Sequence, residues 1–246
     1  MYTMMARTAV VTGARHLRAA RNGQDAAASW VGDGAGAIVV CDGCGAGASS
    51  EVGARLGAQL VIGAIAARLA RGERPSRLWD GDGVRAQVLG ALGALLDAMP
   101  GDRAQAVHDH LLFTIVAAAA AGDEAAVWAI GDGAFALGDR IETLGPFPGN
   151  QPPYLAYALL GLPAEARLEV GDARGRLAVA TDGVPALGAL LDAATLAHPD
   201  GLRRRLAVLA RGGERIDWGA RRIARTPAAL QDDGAIAVLA RVGAQP

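Results

Sequence analysis

The sequence contains no lysine: all 24 basic residues are arginine, set against 25 acidic ones. That absence excludes whole classes of chemistry. A P-loop or a kinase-type site needs a lysine ammonium on the phosphates. Pyridoxal-phosphate enzymes and Schiff-base aldolases need a lysine amine. Cysteine is almost as scarce. Cys41 and Cys44 cannot fill a four-ligand zinc site alone, and the histidine closest to them in sequence is His16. Aromatic residues make up only 4% of the chain, so alanine supplies much of the 52% hydrophobic content. A net charge of −1 creates no field that would attract nucleic acid or an anionic membrane, and neither is expected as a partner. The longest nearly uninterrupted apolar run, Leu111 to Ala121, is too short to cross a bilayer. The first residues lack the apolar core of a signal peptide, so a cytoplasmic location is expected.

What is present fits one domain over residues 1–246, with no internal repeat and no dividing linker. Ala9–Thr12, Asp25–Trp30 and the continuous apolar run Ala37–Cys41 predict strands, with a polar loop between the first two. From Glu51 to Arg71, Val52, Leu56 and Leu60 recur at helical spacing, and a second helix is predicted over Val84–Met99. Leu111–Ala119, Ala125–Ile130, Ala134–Leu137 and Ile141–Leu144 read as an antiparallel meander, although the alanines at 117–121 would suit a helix. Prolines 146, 148, 152 and 153 make the next segment an irregular, flap-like loop, around 145–166. Strands at Leu168–Val170 and Leu177–Thr181, helices at Val184–Leu191 and Gly201–Ala210, and a strand at Ala235–Val242 complete the chain. This order predicts an α+β fold.

Three acidic sites share one local pattern. Asp42 and Asp182 each end an apolar strand and precede glycine, and Asp232 and Asp233 stand just before the final strand. Carboxylates at strand ends project into a cleft at a sheet edge. Where several converge, repulsion raises their pKa values unless a cation offsets it. Hard ions such as Mg²⁺ and Mn²⁺ favour such oxygen donors, including the carbonyls that glycine exposes.

In order along the chain, Asn22-Gly23-Gln24-Asp25-Ala26, Cys41-Asp42-Gly43, Ile130-Gly131-Asp132-Gly133, Thr181-Asp182-Gly183 and Asp232-Asp233-Gly234 resemble the motifs of the metal-dependent protein serine/threonine phosphatases of type 2C. Thr12-Gly13-Ala14-Arg15-His16 together with Gln24-Asp25 is more similar to a divergent bacterial branch. The resemblance implies a four-layer αββα sandwich of two antiparallel sheets flanked by helices, and a centre of two divalent cations, Mn²⁺ or Mg²⁺. It implies that Asp42 bridges the ions, the Gly43 carbonyl binds one, and Asp182 and Asp232 bind the other. Asp232 is preferred to Asp233 because the family's aspartate stands one residue further from the strand. Asp25 would hold the attacking water, and a hydroxide bridging the metals would hydrolyse phosphoserine or phosphothreonine. The implied partner is a phosphoprotein, the product of a serine/threonine kinase.

Four positions depart from the pattern. Gln24 replaces a glutamate near the metals. Cys44 stands where some relatives have a histidine that protonates the leaving group. Ala186 stands where an aspartate holds a third ion in some relatives, and Ala20 where a phosphate-binding arginine is usual, leaving Arg21 or Arg18 for that role. These departures motivate one alternative, a phosphatase fold that binds phosphoprotein with weak or no turnover. A second alternative reads Cys41-Asp42-Gly43-Cys44 as a redox dithiol, although such motifs normally open a helix, and here Cys41 belongs to a strand. The arginine runs 203–205 and 221–222 are expected on solvated helix faces, and His108-Asp109-His110 in a solvated turn.

Overall fold

A computed structural model describes residues 2–243. Ten strands form two five-stranded sheets in which every neighbouring pair is antiparallel. The first sheet runs in the order β1 (Tyr2–Val11), β12 (Gly234–Gly243), β9 (Leu177–Ala180), β6 (Gly133–Leu137), β7 (Arg140–Leu144). The second runs β2 (Ala26–Gly32), β3 (Ala35–Cys41), β4 (Ile115–Ala121), β5 (Glu124–Ile130), β8 (Arg167–Asp172). Two further strands, β10 (Gly213–Asp217) and β11 (Arg222–Thr226), pair only with each other. The helices are α1 (Ala14–Arg18), α2 (Ser50–Leu69), α3 (Val84–Ala98), α4 (Arg103–Ala106), α5 (Ala193–Ala197) and α6 (Gly201–Leu209).

The continuous apolar runs follow from burial on both faces. Successive strand side chains point to opposite sides. In β3, Ile38 and Val40 enter the core between the sheets, whereas Val39 and Cys41 pack beneath α2 and α3. In β12, Ala237 and Leu239 face the other sheet, and Ile236 and Val238 face Leu202 and Leu206 of α6. Helices therefore cover both outer faces, giving the expected αββα layers, with short α5 and α6 on one side. The alanines of β4 form a strand after all, because they are sandwiched between the same two cores. Their small side chains let the layers approach.

Helix α2 corrects the expected packing. Val52 and Leu56 are 44% and 40% exposed. The buried face is instead built from Gly53, Ala54, Gly57, Ala58, Val61 and Ile65. A Cβ at Gly53 would lie 2.2 Å from the His110 carbonyl oxygen, and one at Gly57 would lie 2.2 Å from the Phe113 ring. Close approach selects glycine here over a large apolar stripe. By length and composition α2 would also suit a membrane span, yet this face packs on β2 and β3.

Other departures are local. The loop expected after β1 contains α1, and Val184–Leu191 holds only a 3-10 turn at Leu187–Leu190. His108-Asp109-His110 lies in a π-helical turn. Arg203–Arg205 lie on α6 as expected, but Arg221 and Arg222 belong to the β10–β11 hairpin rather than to a helix.

Trp128 of β5 is fully buried and stacks on Trp79, with ring centroids 6.0 Å apart. Trp128→Ala is expected to cost about 3–5 kcal/mol in urea unfolding. Leu17→Ala, at a position 59% exposed, should stay within about 0.5 kcal/mol of the parent.

Candidate functional site

Register decides where the acidic residues meet. Ala26 pairs with Cys41, so Asp25 and Asp42 stand side by side one step beyond the β2–β3 ladder. The Gly43 amide donates to the Gln24 carbonyl oxygen at 3.2 Å, and the Thr114 amide donates to that of Asp42 at 2.8 Å. In the other sheet, Ala134 pairs with Ala180, which sets Asp132 beside Asp182. Val11 opposes Gly234, which brings the loop after β1 against Asp232 and Asp233. All these strand ends lie at one edge of the sandwich.

Two contacts stitch the sheets together there. The Thr181 hydroxyl donates to Asp25 Oδ2 at 2.6 Å and accepts from the Ala235 amide at 2.9 Å. Asp233 is buried and receives the amides of Gly13 at 2.8 Å and Gln24 at 2.6 Å, with His16 Nδ1 at 2.7 Å. The glycines beside this segment leave no room for a side chain. A Cβ at Gly13 would stand 2.0 Å from the Asp232 carbonyl oxygen, and one at Gly183 would stand 1.8 Å from that of Asp233.

Above this floor lies a cavity of about 330 Å³. Asp42, Asp132, Asp182 and Asp232 line it, with Gln24 and Gly43 beside them. Cys44 and Thr114 complete that side, and the proline-rich loop adds Asn150, Pro152 and Tyr154. Among the described residues, no arginine or histidine lines it. Another cavity, of about 750 Å³, lies at the turns of the opposite edge. Its Glu73, Glu124 and Asp123 are already paired with Arg68, Arg74 and Arg241, which leaves Asp33 and no cluster of uncompensated carboxylates.

The missing countercharge shows in proton affinity. Burial, reinforced by Asp233 and Asp182, raises Asp25 to about 7 even though the Thr181 hydroxyl works the other way. Burial and the charges of Asp25 and Asp182 push Asp42 well above the carboxylate range. Burial and Asp182 bring Asp132 to about 6. The Tyr154 phenol, buried beside Cys44 and facing Asp42 and Asp132, is pushed above its ordinary value and stays protonated.

The structure thus gathers Asp42, Gly43, Asp182, Asp232 and Gln24 around one cavity, with Asp25 against Asp42. Asp232 is exposed to the cavity, with Oδ1 accepting the Asp233 amide at 2.9 Å. His16, Asp232 and Asp233 offer donor atoms within 4.8 Å of one another, but His16 and Asp233 are spent on each other and on the backbone. Gln24 donates from Nε2 to the Ser50 hydroxyl at 2.7 Å. Arg21 is not brought here: it is exposed and lines a separate cavity of about 220 Å³ with Asn22 and Glu51. Sequence reasoning missed the anchoring parts of Thr181 and Asp233 and the donors Asn150 and Tyr154. The threonine's place before Asp182 was the one available signal. Cys41 is fully buried, and burial with Asp25 and Asp42 raises its thiol well above the ordinary value, opposite to what a redox dithiol requires.

Residues 12–215 match the sequence model of the family described as Protein phosphatase 2C. No curated protein sequence matches the chain. Among solved structures, the chain is similar to the catalytic domain of the serine/threonine protein phosphatase PstP in complex with two manganese ions. That match has 18% identity, a TM-score of 0.54 and coverage of 99% of this chain and 100% of the other. The serine/threonine phosphatase Stp1 from Staphylococcus aureus gives 14% identity and a TM-score of 0.59, over 98% and 96% of the two chains. RsbX in complex with magnesium gives 12% and 0.53, over 98% and 100%. These likenesses establish the fold.

A carboxyl with a higher pKa in the folded than in the unfolded chain keeps its proton only when folded, at pH values between the two. Stability is then full below the lower value and falls as pH rises through the window. For Asp25 the window runs from 3.8 to about 7. In EDTA, wild-type stability in urea is therefore expected to fall between about pH 4 and pH 7 relative to Asp25→Asn. Parallel pH profiles for the two proteins would contradict this.

Proposed function

Since the chain belongs to the protein phosphatase 2C family, we propose that it hydrolyses phosphoserine and phosphothreonine in proteins with two divalent cations, Mn²⁺ or Mg²⁺. The observation that carries this is the convergence of Asp25, Asp42, Asp182 and Asp232 at one edge, with no cationic side chain among the described residues lining the cavity. The donor set fits the ions: hard carboxylate oxygens, a glycine carbonyl and a surplus of buried negative charge. Asp42 and the Gly43 carbonyl would hold one ion, and Asp42, Asp182 and Asp232 the other. Gln24, with its amide nitrogen tied to Ser50, keeps its oxygen as an uncharged donor. Such ions polarise phosphoryl oxygens and make water nucleophilic at neutral pH.

The chain's own residues do the rest. Asp25, with Oδ2 fixed by Thr181, orients the water that attacks phosphorus in line. The bond from phosphorus to the serine or threonine oxygen breaks; the attacking water gives up one proton and the leaving oxygen gains one, releasing phosphate and the free hydroxyl. Tyr154 keeps its phenolic proton and, with the Asn150 amide, supplies neutral hydrogen-bond donors where Cys44 replaces a histidine. The proline-rich loop closes one side of the cavity and limits access of bulk water. The substrate is a kinase product, and the site of action the cytoplasm.

Hydrolysis of p-nitrophenyl phosphate with and without Mn²⁺ tests this. Turnover should require Mn²⁺, and Asp42→Asn should lose more than the about 10–100-fold typical of residues that only support a ligand. Gln24→Glu adds a charge beside the ions and should lower the Mn²⁺ concentration for half-maximal activity by about tenfold. No turnover at any Mn²⁺ concentration would instead favour a phosphoprotein-binding module.

A further inference from the structure

The β10–β11 hairpin stands apart from both sheets. Glu214 opposes Arg225, and Ile216 opposes Ile223. These four side chains share one face, because residues opposite and two apart in a hairpin lie on the same side. Ile216 and Ile223 are more than half exposed, and Trp218 in the turn is 81% exposed. An isolated two-stranded hairpin is marginal in water, and a cluster of large exposed apolar side chains on one marks an interaction surface.

The Glu214–Arg225 end of that face borders a groove of about 710 Å³. Leu17 and Arg18 of α1 form its other wall, and Pro227 and Ala228 continue it toward the acidic edge. Arg225 and Arg222 are paired with Glu214 and Asp217. Arg211, Arg215 and Arg221 have no acidic partner among the described residues. Arg215 opposes Ala224 and so lies on the other face of the hairpin. Arg18 lines the groove with no acidic partner among the described residues, Arg211 stands between its lining residues Ala210 and Gly212, and Arg221 stands in the hairpin turn near Trp218. The groove is thus apolar inside and flanked by positive charge, on a chain whose net charge is −1.

Its position links it to the proposed chemistry. Ala228 precedes Asp232 by four residues, a span of at most about 14 Å. Leu17 follows His16, which holds Asp233. From Thr226 to the hairpin turn, a five-residue strand covers about 17 Å. We infer that this groove and hairpin dock an acidic segment of the phosphoprotein substrate, one that also carries a large apolar side chain, up to about nine extended residues from the phosphorylated residue.

The inference rests on the phosphatase reading for what enters the cavity, and on the groove alone for what binds beside it. A second copy of the chain is a poor occupant, because a two-fold contact would set the same unpaired arginines against each other. Nucleic acid fits less well than an acidic peptide: three unpaired arginines on a nearly neutral chain make a local patch, not a phosphate-tracking stripe.

The test has a binding arm and a kinetic arm. In the first, fluorescence anisotropy follows a dye-labelled, unphosphorylated peptide with glutamates and one leucine, added to the full chain in Mn²⁺. Wild type should bind it at least about tenfold more tightly than the matched glutamine peptide, and Trp218→Ala and the double variant Arg211→Glu/Arg221→Glu should abolish that difference. In the second arm, the same segment is placed about nine residues from a phosphoserine. Both variants should raise its KM about tenfold while leaving kcat and p-nitrophenyl phosphate turnover unchanged. Shortening the spacer to two residues should remove the wild-type advantage.

Variants that match wild type in both arms overturn the proposal. So does an oligonucleotide of equal charge that binds as tightly as the peptide, or a dimer in sedimentation that Trp218→Ala dissolves. If wild type binds the acidic peptide selectively yet hydrolyses neither substrate, the phosphatase reading fails while the docking surface stands.

Discussion

Asp25, Asp42 and Asp132 hold their protons more tightly than free carboxylates because the fold keeps them close to one another and to Asp182, partly dry, with no arginine among the described residues lining their cavity. Two like charges about 4 Å apart repel by about 4 kcal/mol at an effective dielectric near 20. That is a large share of the roughly 5–15 kcal/mol by which a domain is stable. The chain therefore has two ways to fold: keep protons on some of these groups, or take up cations. Folding near neutral pH and cation binding are thus coupled through the same side chains, since an ion and a proton compete for the same oxygens.

What keeps the charges from moving apart is backbone register plus one aspartate that never reaches the cavity. Asp233 accepts amides from Gly13 and Gln24, one from the loop after β1 and one just before β2. It ties the two sheets at the edge where repulsion would separate them. Its neighbour Asp232 faces the cavity. Adjacent residues entering a strand point in opposite directions, so one becomes an anchor and the other a potential donor. Gly13 and Gly183 complete the arrangement by letting backbone press on both carbonyls of this pair.

The aspartates at strand ends were legible because the signal is local: an apolar run, then Asp, then Gly. The alternating burial of β3, β4 and β12 was less so, since a strand covered on both faces loses its period. The packing of α2 was misread because Val52 and Leu56 form the more conspicuous stripe, whereas the contact that matters is a backbone approach over Gly53 and Gly57. The anchoring by Asp233 could not be separated from the part of Asp232 without knowing the loop after β1. The β10–β11 hairpin escaped because its strands are short, charged and paired only with each other. Arg21 was assigned by sequence proximity, and the fold turns it toward Asn22 and Glu51 instead.

The absence of lysine finally bears on where positive charge can stand. An arginine inside the cavity would recognise phosphate well, but it would also neutralise Asp42 and Asp182 and compete with divalent ions for them. Neutral donors avoid that conflict. Thr114, Asn150 and Tyr154 offer hydrogen bonds without adding charge, so the carboxylates keep their demand for cations. The arginines are left to the surface, where Arg18, Arg211 and Arg221 can select what approaches without disturbing what the cavity holds. Separating the charge that attracts a substrate from the charge that binds the ions lets each change without weakening the other.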